Sequence, residues 1–176
     1  MKKKRFPLAK VYGLLEPGPV VLLSTARCGK DNVMTLSWHT MLEFEPPLVG
    51  CVVCGYSHAA LKATKECVIN IPDASLADQV VACGNHSGRD IDKFAAFGLT
   101  PLPAAQVQAP LIAECFANLE CRVVDTRLVN RYSFFVLEVV QAWADGDIAE
   151  RQTMHHRGYG KFMFAGETRQ LDSQMR

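Results

Sequence analysis

The sequence predicts a mainly β protein, a mostly antiparallel barrel with added helices, rather than a doubly wound parallel sheet. Three observations point there. Apolar, β-branched or aromatic runs of strand length recur at Pro19–Thr25, Pro47–Cys54 and Tyr132–Trp143. Ala113–Val123 alternates apolar and polar residues, the signature of a strand with one face inward. The helical stretches are short and do not alternate regularly with the strands, as the crossovers of a parallel sheet require.

Taken in order, Pro19–Thr25 (PVVLLST) reads as a buried strand. Gly29-Lys30-Asp31 reads as a turn into a second strand, Asn32–Thr40 (NVMTLSWHT), and Pro47–Cys54 (PLVGCVVC) as a third. Ser57 is placed to cap a helix through Lys65, rich in Ala, Leu and Lys. Glu66–Ile71 is a strand that stops at Pro72. Ala74–Cys83 and Asp90–Phe97 are short helices, followed by Gly84 and Gly98 in the usual terminating position. In Ala113–Val123 the residues Ala113, Cys115, Ala117, Leu119, Cys121 and Val123 form the inward face. Glu114, Phe116, Asn118, Glu120 and Arg122 form a face expected to be wet or at an interface. Leu99–Pro110 reads as an ordered connection, since patterned segments flank it. One domain spanning 1–176 is expected, its core about 10–150 between basic N-terminal and C-terminal tails.

Composition narrows the function. Hydrophobic residues make up 49% and charged residues 21% of 176, which suits a packed core and argues against disorder. Lys+Arg at 19 against Asp+Glu at 18 leaves a net charge of +1, so no nucleic-acid partner is expected. No apolar run approaches the ~20 residues of a membrane span. The basic start lacks a compact apolar stretch after it, because Glu16, Pro17, Gly18 and Pro19 interrupt, so a solvated tail rather than a signal peptide is expected. Seven cysteines, an odd number in a chain too large to need a disulfide scaffold, read as reduced thiols of a cytoplasmic protein.

Three clusters carry polar chemistry. On one strand, Thr35, Ser37 and His39 would share a face and Leu36, Trp38 and Thr40 the other. Hydroxyls and a ring nitrogen beside an indole suit a flat, polar heteroaromatic ligand; the plainer reading is a solvent-facing edge strand. Ser57-His58 opens a helix, whose free N–H groups suit a phosphate, with Lys62 one turn inward; a simple N-cap explains the same residues. Asn85–Phe94 (NHSGRDIDKF) offers a Ser87-Gly88 turn, cations at Arg89 and Lys93, and Asp90 as a helix cap. Cys51 and Cys54 invite a metal or dithiol reading, but residues three apart on a strand point to opposite faces. His155-His156 lack metal partners and are placed to reach a ligand's edge. P-loop, Rossmann and G-x-S-x-G signatures are missing.

NVMTLSW at Asn32–Trp38, ECVINIP ending at Pro72, SGRDIDKF at Ser87–Phe94, GLTP at Gly98–Pro101 and APLIAECFANLECRV at Ala109–Val123 occur in that order. Together they resemble the flavin reductase-like family and, within it, the flavoredoxin-type FMN-binding proteins. The resemblance implies a split β-barrel of mostly antiparallel Greek-key type, a homodimer, and FMN as cofactor with NADH or NADPH as co-substrate. It implies that Thr35, Leu36, Ser37, Trp38, His39 and Thr40 line the flavin ring and ribityl chain. Cys54, Ser57, His58 and Lys62 would meet the phosphate, and Ser87, Gly88 and Lys93 would complete the site. Where many members carry a basic residue two places before the hydroxyl residue, Gly55 stands here. The flavin would carry the redox chemistry, so no catalytic side chain is expected. The implied activity is flavin oxidoreduction, electrons passing to free flavin, a partner protein, O₂ or ferric iron; the alternative is a non-enzymatic FMN electron carrier.

Overall fold

The structure, a computed structural model, describes residues 4–11, 18–146 and 148–172. The basic residues 1–3 and the interruption at Glu16 and Pro17 fall outside the described residues. Strands β1 (Lys4–Arg5), β2 (Val21–Arg27), β3 (Lys30–Leu36), β4 (His39–Glu43), β5 (Leu48–Val52), β6 (Glu66–Ile71), β9 (Ala117–Asp125) and β10 (Phe134–Ala144) form one sheet. Its order is β3-β2-β6-β9-β10-β5-β4, with β1 added to β10, and its recorded pairs are antiparallel. Small hairpins pair β7 (Pro101–Leu102) with β8 (Leu111–Ile112), and β11 (Met154–His156) with β12 (Phe162–Phe164). The helices are α1 (Gly55–Thr64), α2 (Ala77–Asn85), α3 (Lys93–Phe97) and α4 (Val129–Tyr132).

The predicted antiparallel architecture is present. The outermost strands, β3 and β4, are consecutive in the chain and joined by Ser37 and Trp38 alone. The sheet therefore curls until its edges meet at that corner and part beyond it, which makes the barrel split. The expected single strand over Asn32–Thr40 is thus two, so Thr35 and His39 do not share one continuous face. Apolar alternation runs straight through the break and gives no sign of it.

The β2–β3 turn is tighter than expected. Arg27 pairs with Lys30, leaving Cys28 and Gly29 as a two-residue loop with φ of 52° and 72°. Positive φ at both positions matches the twist of a hairpin, and glycine takes the second without strain. Lys30 and Asp31 belong to β3 rather than to the turn.

The first half of β2, Val21–Leu23, is apolar because it is buried on both faces. Val21 and Leu23 enter the barrel core with Val49, Cys51, Ile69, Leu119, Leu137 and the helix residue Leu61. Val20 and Leu22 face outward onto a second cluster, where Val80 and Cys83 of α2, Phe94 of α3 and Met154 cover them. Met154 is 1% exposed and its carbonyl accepts from the Val20 amide at 2.7 Å. The core therefore continues past residue 150, where a tail was expected. At the other end Lys4 and Arg5 are also no tail, since they pair with Ala144 and Trp143.

β9 departs from its expected wet face. Asn118 and Glu120 are both 0% exposed, and Phe116 is buried as well. The ordered segment over 103–112 folds across them. The Glu120 carboxylate accepts from the amides of Ala105 (3.0 Å) and Gln106 (2.5 Å) and from Trp143 Nε1 (2.7 Å). Asn118 donates to Asn70 Oδ1 at 2.6 Å and to the Ile112 carbonyl at 3.1 Å. Buried polar groups are tolerable there because each finds a partner.

The helix starts also differ. Cys54, not Ser57, occupies the N-cap of α1, without a side-chain cap. Asp92, not Asp90, caps α3, accepting from the amides of Phe94 and Ala95. Gly98 ends α3 in the left-handed region, as expected, whereas Gly84 lies inside α2.

Candidate functional site

The split leaves the outer edge of β3 without a neighbouring strand, and a groove runs along it. Its first lobe, about 380 Å³, lies between Asn32, Met34 and Thr35 of β3, the start of α1 from Cys54 to Ser57, the end of α2 and the Ser87-Gly88 turn, and Lys93 of α3. A second lobe of about 290 Å³ shares Thr35, Gly84 and Asn85. It adds Ser37 and His156 and an apolar lining of Val20, Val80, Val81 and Phe162.

The first lobe is polar and electropositive. Lys93 is 5% exposed, and its ammonium donates to the carbonyls of Val33 (2.9 Å) and Cys83 (2.6 Å). Among the described residues no carboxylate pairs with it. Burial depresses its pKa below the ordinary lysine value, an effect the nearby Cys83 thiol partly offsets. The Cys83 thiol is itself pushed up by burial to about 11, Lys93 pulling the other way. Ser57, in the first turn of α1, accepts from Asn32 Nδ2 at 2.8 Å and keeps its hydroxyl proton to give. Asn32 Oδ1 is buried without a partner. Gly88 sits against that amide so closely that any Cβ would collide with it. The hydroxyl of Ser87 accepts from the Arg89 amide.

Of the expected site residues, the groove brings together Thr35, Ser37, Cys54, Ser57, Ser87, Gly88 and Lys93. The Thr35 hydroxyl is spent on the Val80 carbonyl (2.5 Å), tying α2 to β3. The others lie elsewhere. Leu36 is 3% exposed and points into the barrel core, because the alternation that turns Thr35 out turns Leu36 in. Trp38 is 72% exposed at the corner, outside both lobes. Thr40 is exposed on β4 and bonds the Met41 carbonyl. His58 lies edge-on to Phe135, centroids 5.5 Å apart. Lys62 faces α4, donating to Asn130 Oδ1 at 2.9 Å. Cys51 is buried and Cys54 exposed, and both thiols are free.

His39 bonds the Pro19 carbonyl through Nε2 at 2.6 Å, while its Nδ1 is buried without a partner. The ring therefore carries its proton on Nε2. Burial lowers its pKa below the ordinary 6.5, more than the bond to Pro19 raises it. A depressed pKa means that the unfolded chain binds the proton more readily. His39 thus adds stability that is present above 6.5 and is lost as pH falls toward the folded-state value. Urea midpoints are expected to drop between pH 7.5 and 5.5, with the drop reduced in His39→Gln; equal pH slopes in the two proteins would refute this.

Asn85, the first residue of the third expected cluster, lines both lobes; Asn32, Tyr56 and Phe162 also line the groove and were not expected from sequence. Asn32 was within reach of sequence reasoning: it stands on the same face as Met34, two residues on. Phe162 was not, since it arrives on the C-terminal hairpin. His156 also reaches the second lobe, its ring 5.0 Å from that of Phe162. His155 is held by the Gly18 carbonyl and by Thr153.

The profile of the flavin reductase like domain matches residues 14–163. The chain belongs to the flavin reductase-like family. An uncharacterised relative, YddH of Escherichia coli (strain K12), is 32% identical over 170 residues, covering 88% of this chain and 90% of its own. A solved FMN-binding domain of a flavin reductases-like enzyme from Shewanella baltica OS155 superposes with a TM-score of 0.90 at 28% identity, covering 97% of this chain and 98% of that one. The flavoredoxin of Desulfovibrio vulgaris (Miyazaki F) shares the fold at 22% identity, with a TM-score of 0.80 and coverages of 89% and 90%. Among the described residues of this flavin reductase-like chain, no three His, Cys, Asp or Glu side chains cluster as a metal site. No described helix is long and apolar enough to cross a membrane.

Proposed function

We propose that the protein is an FMN-binding oxidoreductase that accepts hydride from NADH or NADPH and passes electrons to free flavin, a partner protein, O₂ or ferric iron. The observation that carries this reading is the two-lobed groove of a flavin reductase-like chain, electropositive in one lobe and apolar-walled in the other. The solved relatives described as FMN-binding support the choice of flavin.

The residues present fit the group. A flavin phosphate, about −1.5 to −2 at neutral pH, suits a lobe that offers the Lys93 ammonium with no carboxylate beside it, the Ser57 hydroxyl and the first turn of α1. The orphaned Asn32 amide oxygen calls for a donor, which a ribityl hydroxyl provides. Val20, Val80, Val81 and Phe162 suit the hydrocarbon end of the ring. When bound, FMN supplies the electron-transfer chemistry, which needs no protein acid or base. The chain's own part is to hold and orient: Lys93 and Ser57 anchor, Gly88 lets its turn pack against Asn32, and Val80, Val81 and Phe162 wall the second lobe.

A homodimer is part of this proposal. Trp38 (72%) at the corner, and Leu42 (47%) and Phe44 (55%) at the far end of β4, leave apolar surface exposed, which a second copy would cover. Light scattering should return twice the chain mass. Seven free thiols suit a reducing cytoplasm.

The deciding experiment incubates purified protein with FMN and then adds NADH or NADPH in a stopped-flow cell. Flavin absorbance followed by bleaching within seconds is expected. Bound flavin that neither nucleotide bleaches would favour the carrier, and no bound flavin would end the proposal. Ser37→Ala is expected to weaken FMN several-fold, a loss of about 1 kcal/mol, with an unchanged melting temperature. Wild-type affinity in that variant would remove Ser37 from the site.

A further inference from the structure

A third cavity, of about 340 Å³, lies beyond the first lobe, sharing Asn32 and Tyr56 with it. Its wall is the face of the β2–β3 hairpin that packs against α1. Arg27 pairs directly with Lys30, and Thr25 with Asn32, so all four side chains stand on one side. Two cations thus face each other across the ladder, where like charges repel. Neither has a carboxylate partner among the described residues. Lys30 instead lies over the Tyr56 ring, 5.6 Å from its centroid.

The floor supplies an independent sign. Thr25 is 1% exposed, lines this cavity, and its hydroxyl is buried without a hydrogen-bond partner. Among the described residues Arg27 donates only to the Ala59 carbonyl, at 3.5 Å. Buried hydroxyls are normally satisfied, so an unpaired one beside two cations without carboxylate partners marks a place for an anion with acceptor oxygens. The volume equals that of about ten waters at ~30 Å³ each, more than a bare ion needs.

We propose that Thr25, Arg27, Lys30 and Tyr56 form a second anion site that seats a phosphomonoester together with part of the nucleoside carrying it. Arg27 and Lys30 neutralise the phosphate, Thr25 donates to it from below, and the Tyr56 ring flanks the sugar or base. The site goes beyond the flavin reading and rests on it only in the source considered, the 2′-phosphate of NADPH, since the flavin phosphate is already placed in the first lobe. This hairpin then sets the choice of NADPH over NADH.

The test is isothermal titration calorimetry on the full chain, with adenosine 2′,5′-bisphosphate against adenosine, and FMN against riboflavin. Arg27→Gln/Lys30→Gln changes only exposed side chains and should fold as wild type by circular dichroism. It is expected to lower affinity for the bisphosphate about ten-fold or more while sparing adenosine and FMN. Loss confined to the bisphosphate, measured on FMN-saturated protein, upholds the site; loss confined to FMN would overturn it and would move the flavin phosphate out of the first lobe. Thr25→Val removes a hydroxyl that bonds nothing, so it should keep or raise the melting temperature while weakening the same probe. Unchanged affinity for the bisphosphate in the double variant would overturn the proposal. Bisphosphate binding lost in that variant, in a protein that takes up no flavin, would uphold this site while sinking the flavin reading.

Discussion

Leu119→Asp is expected to leave no cooperatively folded protein. Leu119 is 0% exposed at the centre of β9, flanked by Ile69 on β6 and Ala142 on β10. Removing it forfeits about 1.5–3 kcal/mol of apolar burial. The carboxylate put in its place finds only Ala, Cys, Val, Ile, Leu and Phe among the buried side chains of the barrel core. An unpaired buried charge costs several kcal/mol more, or must be neutralised by protonation. Against a total stability of roughly 5–15 kcal/mol for such a domain, the sum suffices to unfold it. A thermal melt by circular dichroism should show no sigmoidal transition. A soluble variant with a sharp one would mean that the wrong face of β9 has been placed inward.

Lys93→Met should produce the largest loss of flavin binding. The methionine keeps most of the side-chain volume but removes the one ammonium set in the wall of the first lobe. Losing a charge-assisted contact of about 1.5–3 kcal/mol corresponds to a fall in FMN affinity of roughly ten- to a hundred-fold. The carbonyls of Val33 and Cys83 lose their donor, so stability should also drop by about 1–3 kcal/mol. The titration is therefore run well below the variant's melting temperature. The wild type adds a pH signature. Burial holds the Lys93 pKa below the ordinary lysine range, and an anion beside it favours the protonated form. Binding then draws in a proton at alkaline pH, so FMN affinity should weaken as pH rises through the depressed value. The methionine variant should lack this component. Equal FMN affinities in the two proteins would show that Lys93 holds up the fold and nothing more.

The strands were legible because their burial is written in period two, and β2, β5, β6 and β10 lie within a few residues of their expected bounds. What the sequence hid was what comes from elsewhere in the chain. Glu120 reads as a solvent residue until the segment over 103–112 folds across it. Ser57 reads as a cap, yet the helix begins two residues earlier and turns its hydroxyl toward Asn32. Lys62 reads as a phosphate ligand because it lies one turn from the helix start, but the turn carries it round to α4. Lys93 was visible as a cation near a tight turn; that it is buried and bonded to two carbonyls follows only from how α2 and α3 pack on β3. Arg27 and Lys30 gave no signal at all, since a hairpin register, not a motif, makes them neighbours.

Lys93 has a second consequence. By donating to the Val33 carbonyl it occupies a place on the rim of β3 that a foreign strand would otherwise take. The gap in the barrel stays open without becoming adhesive: a charged tether where the ladder stops turns a potential seed for fibrous stacking into a berth for a small molecule.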